Sequence, residues 1–282
     1  VHRGHRALLQ ALDPTLITTV LTFDPHPVEV LRPGTKPRLI TTVDERISIL
    51  DMVGISQVGI LDLREIKDLR PEDFVVDVLV ERLEAAQIVV GPDFRFGRDR
   101  GGDVPLLQRL GPKFHFAVEV VEFVIDEGSP VSSSRIREMI EAGDVARANE
   151  ALGSRFTLTG EVVDGDKRGR EIGFPTANLI PPPRKVVPGI GVYAAYVTTS
   201  HGLSHAAVNV GVRPTFGGGE LLIEAYLLDF NHGLYGEEIT VEFVEYLRPE
   251  LKFDDVADLV DRMGEDVEKS RVILTATTSN MS

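Results

Sequence analysis

The hydrophobic rhythm of this chain changes once, near Gly153, and that change constrains the fold more than any other feature. Before it, short apolar runs alternate with longer amphipathic stretches. Leu16–Phe23, Gln57–Leu61, Gln87–Val90 and Phe114–Val121 read as strands, and Asp44–Val53 and Glu72–Leu83 as helices. Pro71 suits the first turn of the second helix, where a missing N–H costs nothing. Strands alternating with helices imply a parallel sheet covered on both faces. Two further helical pieces, Ser134–Ala142 and Asp144–Leu152, are each followed by a glycine, Gly143 and Gly153, suited to the residue that stops a helix. Beyond Gly153 the apolar runs are Phe156–Val163, Gly191–Thr198, Ala206–Val210, Leu221–Leu228 and Ile239–Val244, separated by Gly/Pro turns. That texture predicts a small antiparallel barrel or sandwich. A last helix, Asp255–Val267, gathers Val256, Leu259, Val260, Met263 and Val267 on one face. The expected division is residues 1–152 and 153–282.

Composition narrows the function classes. A net charge of −14 argues against a nucleic-acid backbone as partner, since that needs a broad basic surface. With no cysteine there is neither a disulfide framework nor a thiolate metal site. No apolar run is long enough to span a bilayer and no basic-then-apolar leader opens the sequence, so the expected location is the cytoplasm. An anionic small ligand must then be held by local basic clusters or bare amides. Two clusters exist, Arg95/Arg98/Arg100 and Lys167/Arg168/Arg170, and either alone is as well explained as a solvated loop.

Two features in the first domain carry chemistry. His2-Arg3-Gly4-His5 precedes a helical run, Ala7–Leu12. Histidines three apart at a helix start share one side of the first turn, and with the helix terminus they can hold an anion. Taken alone, they are equally two surface histidines. The second feature is Ser132-Ser133-Ser134-Arg135-Ile136-Arg137 at another helix start, where serine caps and arginine clamps phosphate.

Together these motifs resemble the nucleotidylyltransferase superfamily: His2–His5 is similar to its HxGH motif, and Ser132–Arg137 to its Ser-Ser-Thr-x-Ile-Arg signature with serine in place of threonine. Thr22-Phe23-Asp24-Pro25-His26-Pro27 and Gly91-Pro92-Asp93-Phe94-Arg95-Phe96-Gly97 resemble segments of the FMN adenylyltransferase module of bacterial bifunctional riboflavin kinase/FAD synthetases. The resemblance implies a Rossmann-like α/β domain. In it His2, Gly4 and His5 meet ATP phosphates, Ser133, Ser134 and Arg137 close on them, and Asp93 and Phe94 lie near the flavin. The family's motif continues upstream as Gly-x-Phe-Asp-Gly, whereas this sequence opens at Val1 inside the motif. The expectation is therefore that a first strand and turn are missing ahead of His2 and that adenylyl transfer by the chain as written is weak.

The second domain has no P-loop sequence. It carries Gly165-Asp166-Lys167-Arg168-Gly169-Arg170, then Gly173-Phe174-Pro175-Thr176-Ala177-Asn178. Glycines let amides approach phosphate, and Thr176 and Asn178 offer hard oxygens to Mg2+. On composition alone this is a Gly-rich hairpin. The stretch nevertheless resembles the riboflavin kinase Gly-Phe-Pro-Thr-Ala-Asn motif residue for residue, which implies that Gly165, Lys167, Gly169, Thr176 and Asn178 bind MgATP. In Leu221–Leu228 a single carboxylate, Glu224, interrupts an apolar strand and is the candidate base for a primary alcohol. It coincides with the catalytic glutamate the resemblance implies, although an edge-strand glutamate facing water would look the same. Asn209–Phe216 resembles the family's flavin-side flap, with Arg213 toward flavin or phosphate.

The implied activity uses ATP and Mg2+ to convert riboflavin to FMN and FMN to FAD. A kinase with an inactive first domain and a non-catalytic flavin sensor stay open as alternatives. Thr176, Asn178 and Glu224 count against the sensor, because a mere binder needs neither metal ligands nor a base.

Overall fold

The structure, a computed structural model, describes residues 1–165, 172–213, 220–253 and 255–279. The chain falls into two compact units, Val1–Ser132 and Ser133–Ser282.

The first unit runs α1 (Arg3–Gln10), β1 (Thr19–Phe23), α2 (Pro27–Leu31), α3 (Val43–Met52), β2 (Gln57–Leu61), α4 (Leu63–Ile66) and a turn α5 (Pro71–Asp73). The last continues as a π-helix over Phe74–Val80, followed by β3 (Gln87–Val90), α6 (Val104–Phe114), β4 (Ala117–Val120) and a short hairpin of β5 (Ile125–Asp126) and β6 (Ser129–Pro130). Strands β1 and β2 pair in parallel from Thr19↔Gln57 to Phe23↔Leu61. Strands β3 and β4 do so from Gln87↔Ala117 to Val90↔Val120. The parallel pairing expected from the alternation is therefore present, as two two-stranded sheets.

Local chemistry explains the helix starts. In α3 the Thr42 hydroxyl accepts from the Glu45 amide while the Glu45 carboxylate accepts from the Thr42 amide, a reciprocal cap. The helix expected over Glu72–Leu83 is a single α-turn followed by the π-helix, and Phe74, Val75, Val78 and Leu79 are all buried. That wider turn points two adjacent pairs into one core, where they meet Val90, Phe96, Leu107 and Phe116. Phe114, expected to open a strand, instead ends α6, with His115 in the left-handed conformation at its cap.

The second unit opens with α7 (Ser133–Glu141) and α8 (Val145–Leu152), with Gly143 (φ +85°) and Gly153 (φ +71°) after them. Then follow β7 (Phe156–Val163), β8 (Ala177–Ile180), β9 (Gly191–Thr199), β10 (Gly202–Arg213), β11 (Glu220–Leu227), β12 (Glu238–Arg248) and the helix α9 (Val256–Ser279). The six strands close a barrel in the order β10-β11-β8-β7-β12-β9, all antiparallel. Closure leaves no exposed sheet edge. Along β7 the inward set is Phe156, Leu158, Gly160 and Val162, whereas β9 is buried on both faces because α9 covers its outer side.

Two polar devices fasten helices to this barrel. The Asn149 carboxamide on α8 donates to the Phe243 carbonyl (2.8 Å) and accepts from the Phe156 amide (2.7 Å), tying α8 to two strands. On α9 the Asp266 carboxylate takes a forked set of bonds at 2.6–3.0 Å from Arg248, both side chains being less than 10% exposed. Of the apolar face expected for the last helix, Leu259, Val260, Met263 and Val267 are half-buried and Val256 is 60% exposed, while the fully buried positions are Asp266, Ser270 and Leu274, further along the helix. Two of these are polar: Asp266 is satisfied through Arg248 of the barrel, whereas Ser270 Oγ is buried with no hydrogen-bond partner among the described residues, so hydropathy alone singles out neither.

Candidate active sites

In the barrel, strand register assembles the first cluster. Glu224 on β11 stands directly opposite Asn178 on β8 and directly opposite Asn209 on β10. Directly opposed residues share a face with Cβ atoms about 5 Å apart. Ile223, Ala225 and Leu227 point into the barrel, so Glu224 and Tyr226 belong to its outer face, half-buried. Glu224 lies on an interior strand of a closed sheet, not on an edge. Asn178 is 6% exposed, and a Cβ on Gly165 would fall 2.1 Å from its Nδ2. Only a glycine lets the backbone press on that carboxamide. Phe174 packs edge-on against Tyr226 at 5.1 Å, holding the Gly-Phe-Pro-Thr turn beside β11.

The second cluster is the start of α1. The helix begins earlier than the expected Ala7, with His2 as its cap. The His5 amide donates to His2 Nδ1 (3.3 Å) and the His2 amide donates to His5 Nδ1 (3.4 Å), while the rings stack at 3.7 Å. Gly4 makes this possible, because a Cβ there would already lie 3.1 Å from the His2 ring. Burial lowers the His2 pKa to about 4, and burial followed by the neighbouring His2 lowers that of His5 as well. Both rings are thus neutral at pH 7. With Nδ1 committed as acceptor, each carries its proton on Nε2, a donor without charge.

A positive charge comes from a residue that no motif singles out. Arg46 on α3 is half-buried, its Nη1 donates to Thr22 Oγ1 at 2.5 Å, and its charge acts on both Asp24 and His5. At the C-terminal end of β3, Asp93 is exposed and Phe94 stacks on Phe96 at 5.5 Å. Strand ends of this kind are where open α/β sheets take ligands.

Known protein families match the chain in two stretches. A family model described as FAD synthetase matches residues 1–135, and one described as riboflavin kinase matches residues 152–274. The bifunctional riboflavin kinase/FMN adenylyltransferase of Escherichia coli (strain K12) is 36% identical over 276 residues, 94% of this chain and 87% of that protein. The protein of the same name from Listeria monocytogenes is 33% identical over 96% of this chain and 88% of its own length. The chain belongs to the bifunctional riboflavin kinase/FMN adenylyltransferase family. A solved structure described as a macrolide-efflux protein from Streptococcus pneumoniae superimposes with a TM-score of 0.89 at 33% identity, covering 96% of this chain and 90% of that one. No helix among the described residues is long and apolar enough to cross a membrane.

For a member of this family the expected site residues are distributed as follows. His2, Gly4, His5, Asp93 and Phe94 fall in the first unit. Ser133, Ser134 and Arg137 fall on the first turns of α7 in the second, with Ser134 exposed and Arg137 half-buried. Gly165, Asn178 and Glu224 gather around one barrel face, and Thr176 lies just ahead of β8. Lys167 and Gly169 lie outside the described residues, as do Arg168 and Arg170, and Arg213 is described as the last residue of β10 by its backbone alone. Among the described residues no group of three His, Cys, Asp or Glu could hold a metal.

Proposed function

We propose that this chain phosphorylates riboflavin to FMN with residues 153–282 and adenylylates FMN to FAD with residues 1–152, in the cytoplasm, using ATP for both steps. The observation that carries the reading is the register placing Glu224 opposite Asn178, with Gly165 pressed against the Asn178 carboxamide. In the kinase step the Glu224 carboxylate accepts the proton of the primary alcohol. The alcohol oxygen forms its bond to the γ-phosphorus as the bond to ADP breaks. The Thr176 hydroxyl and Asn178 carbonyl are hard oxygen donors of the kind Mg2+ takes alongside phosphate oxygens, and two protein ligands match its usual partly hydrated binding. When bound there, the ion would neutralise charge on the phosphates.

In the adenylyl step an FMN phosphate oxygen attacks the α-phosphorus and pyrophosphate leaves. The neutral Nε2–H donors of His2 and His5 hydrogen-bond oxygens that gain charge, and Arg46 adds the positive charge that neutral imidazoles lack. Ser133, Ser134 and Arg137 take the role of closing on the phosphates, and Asp93 and Phe94 that of meeting the flavin. This assignment rests on their motifs.

Incubation with riboflavin, ATP and Mg2+ followed by separation of the flavins tests the whole reading. FAD as product supports it, FMN alone restricts it to the kinase half, and unchanged riboflavin overturns it.

A further inference from the structure

The row of polar side chains on the barrel face does not end at the base. One strand beyond Glu224 stands Asn209, half-buried, and two residues along β10 on the same face comes Gly211. A Cβ on Gly211 would lie 3.4 Å from Asn209 Nδ2 and 2.7 Å from Glu250 Oε1. The missing side chain thus lets the exposed Glu250 carboxylate sit close against the backbone, beside the Asn209 carboxamide. Neither Asn209 nor Glu250 hydrogen-bonds another described side chain. In order across the sheet stand Asn178, Glu224 and Asn209, on neighbouring strands about 4.8 Å apart, with Gly211 two residues along β10 and Glu250 against it.

We infer that Asn209 and Glu250 form a polyol subsite, which holds the secondary hydroxyls of the substrate's sugar-alcohol chain while its terminal hydroxyl sits at Glu224. The inference rests on the kinase reading and fixes the direction of the substrate: phosphoryl donor over β8, reacting alcohol over β11, remaining polyol over β10. A carboxamide offers both a donor and an acceptor, and a carboxylate accepts from two hydroxyls, which is the complement a run of vicinal alcohols needs. The apparatus discriminates because a flavin lacking those hydroxyls leaves the two polar groups desolvated and unpaired when it binds.

The test compares riboflavin with a flavin bearing a 5-hydroxypentyl chain, which has the same length and terminal alcohol but no secondary hydroxyls. Asn209→Leu and Glu250→Gln are each measured on both substrates, with FMN adenylylation and thermal unfolding as controls. We expect each variant to lower kcat/KM for riboflavin roughly tenfold, mainly through KM, and to leave the hydroxypentyl flavin almost unchanged. Equal losses on both substrates would assign the residues a structural role and overturn the subsite. No loss on either would also overturn it. Glu224→Gln is carried alongside: if that variant phosphorylates riboflavin at the parent rate, the kinase reading itself is wrong. If it is inactive while Asn209→Leu loses no discrimination, only the subsite is.

Discussion

The two units build their candidate sites by opposite routes. In the first unit the histidine site is local: four consecutive residues, His2 to His5, cap their own helix, and sequence spacing alone brings the rings together. In the barrel the cluster is non-local: Gly165, Asn178, Asn209 and Glu224 come from a loop and three strands, aligned by hydrogen-bond register. A local site depends on its helix terminus, whereas a register-built site is held by a closed sheet with no edge to slip. The difference should show in which substitutions are fatal and which are merely costly.

The largest expected effect is at the base. Glu224→Gln keeps the shape and removes the basicity, so FMN formation should fall by roughly a hundredfold or more. FAD formation from supplied FMN should be spared, and parallel loss of both activities would show that the two sites are not independent.

Next in size is His2→Asn. Asparagine is among the best helix caps, so α1 keeps its start while the Nε2 donor is lost. Removing one preorganised donor costs on the order of a hundredfold, and here the loss should fall on FAD formation alone. Retention of the parent rate with an intact helix by circular dichroism would reduce His2 to a cap.

Much of this contrast was legible beforehand, and the exceptions have physical causes. The runs Gln57–Leu61, Gln87–Val90 and Phe156–Val163 are strands with the expected bounds, because short apolar runs between turn residues have few other solutions. The short β8 went unread as a strand, since Ala177–Ile180 is hidden behind the turn chemistry of Gly173–Thr176. The pairing of Glu224 with Asn178 and Asn209 is a property of register, which no single stretch encodes. Arg46 was invisible for a similar reason: an arginine in an amphipathic helix reads as solvated until Thr22 is found bonded to it. Asp266 and Ser270 were missed because a buried helix face normally shows itself by hydropathy.

A third substitution tests how far the barrel depends on what precedes it. Asn149→Ala removes a side chain that serves two backbone groups at once, the Phe156 amide and the Phe243 carbonyl. Leaving them unpaired should destabilise the second unit by about 2–4 kcal/mol, with the kinase KM values little changed. A fragment starting at Ser133 should accordingly unfold at a higher temperature than one starting at Gly153. Equal melting temperatures would mean that α7 and α8 contribute nothing to the barrel.

The smallest expected effect is a flat response. An ordinary imidazole, with a pKa near 6.5, gains its proton between pH 7.5 and 5.5, and a catalytic histidine of that kind would print a limb on the rate profile there. His2 is held at about 4 and His5 is also lowered, both chiefly by burial, so the folded protein keeps two neutral donors across that window. FAD formation at saturating MgATP should therefore vary little between pH 8 and about 5.5. The linked stability has a definite sign. Below pH 6.5 the unfolded chain binds protons at these histidines that the folded chain refuses, so stability of the first unit falls as pH drops toward 4. The described barrel cluster of Gly165, Asn178, Asn209 and Glu224 holds no histidine, so that cluster adds no such histidine-linked pH dependence. A limb near pH 6.5 in FAD formation, absent from His2→Asn, would show that the histidine works as a cation. The capping box would then be only one of two states of that helix start.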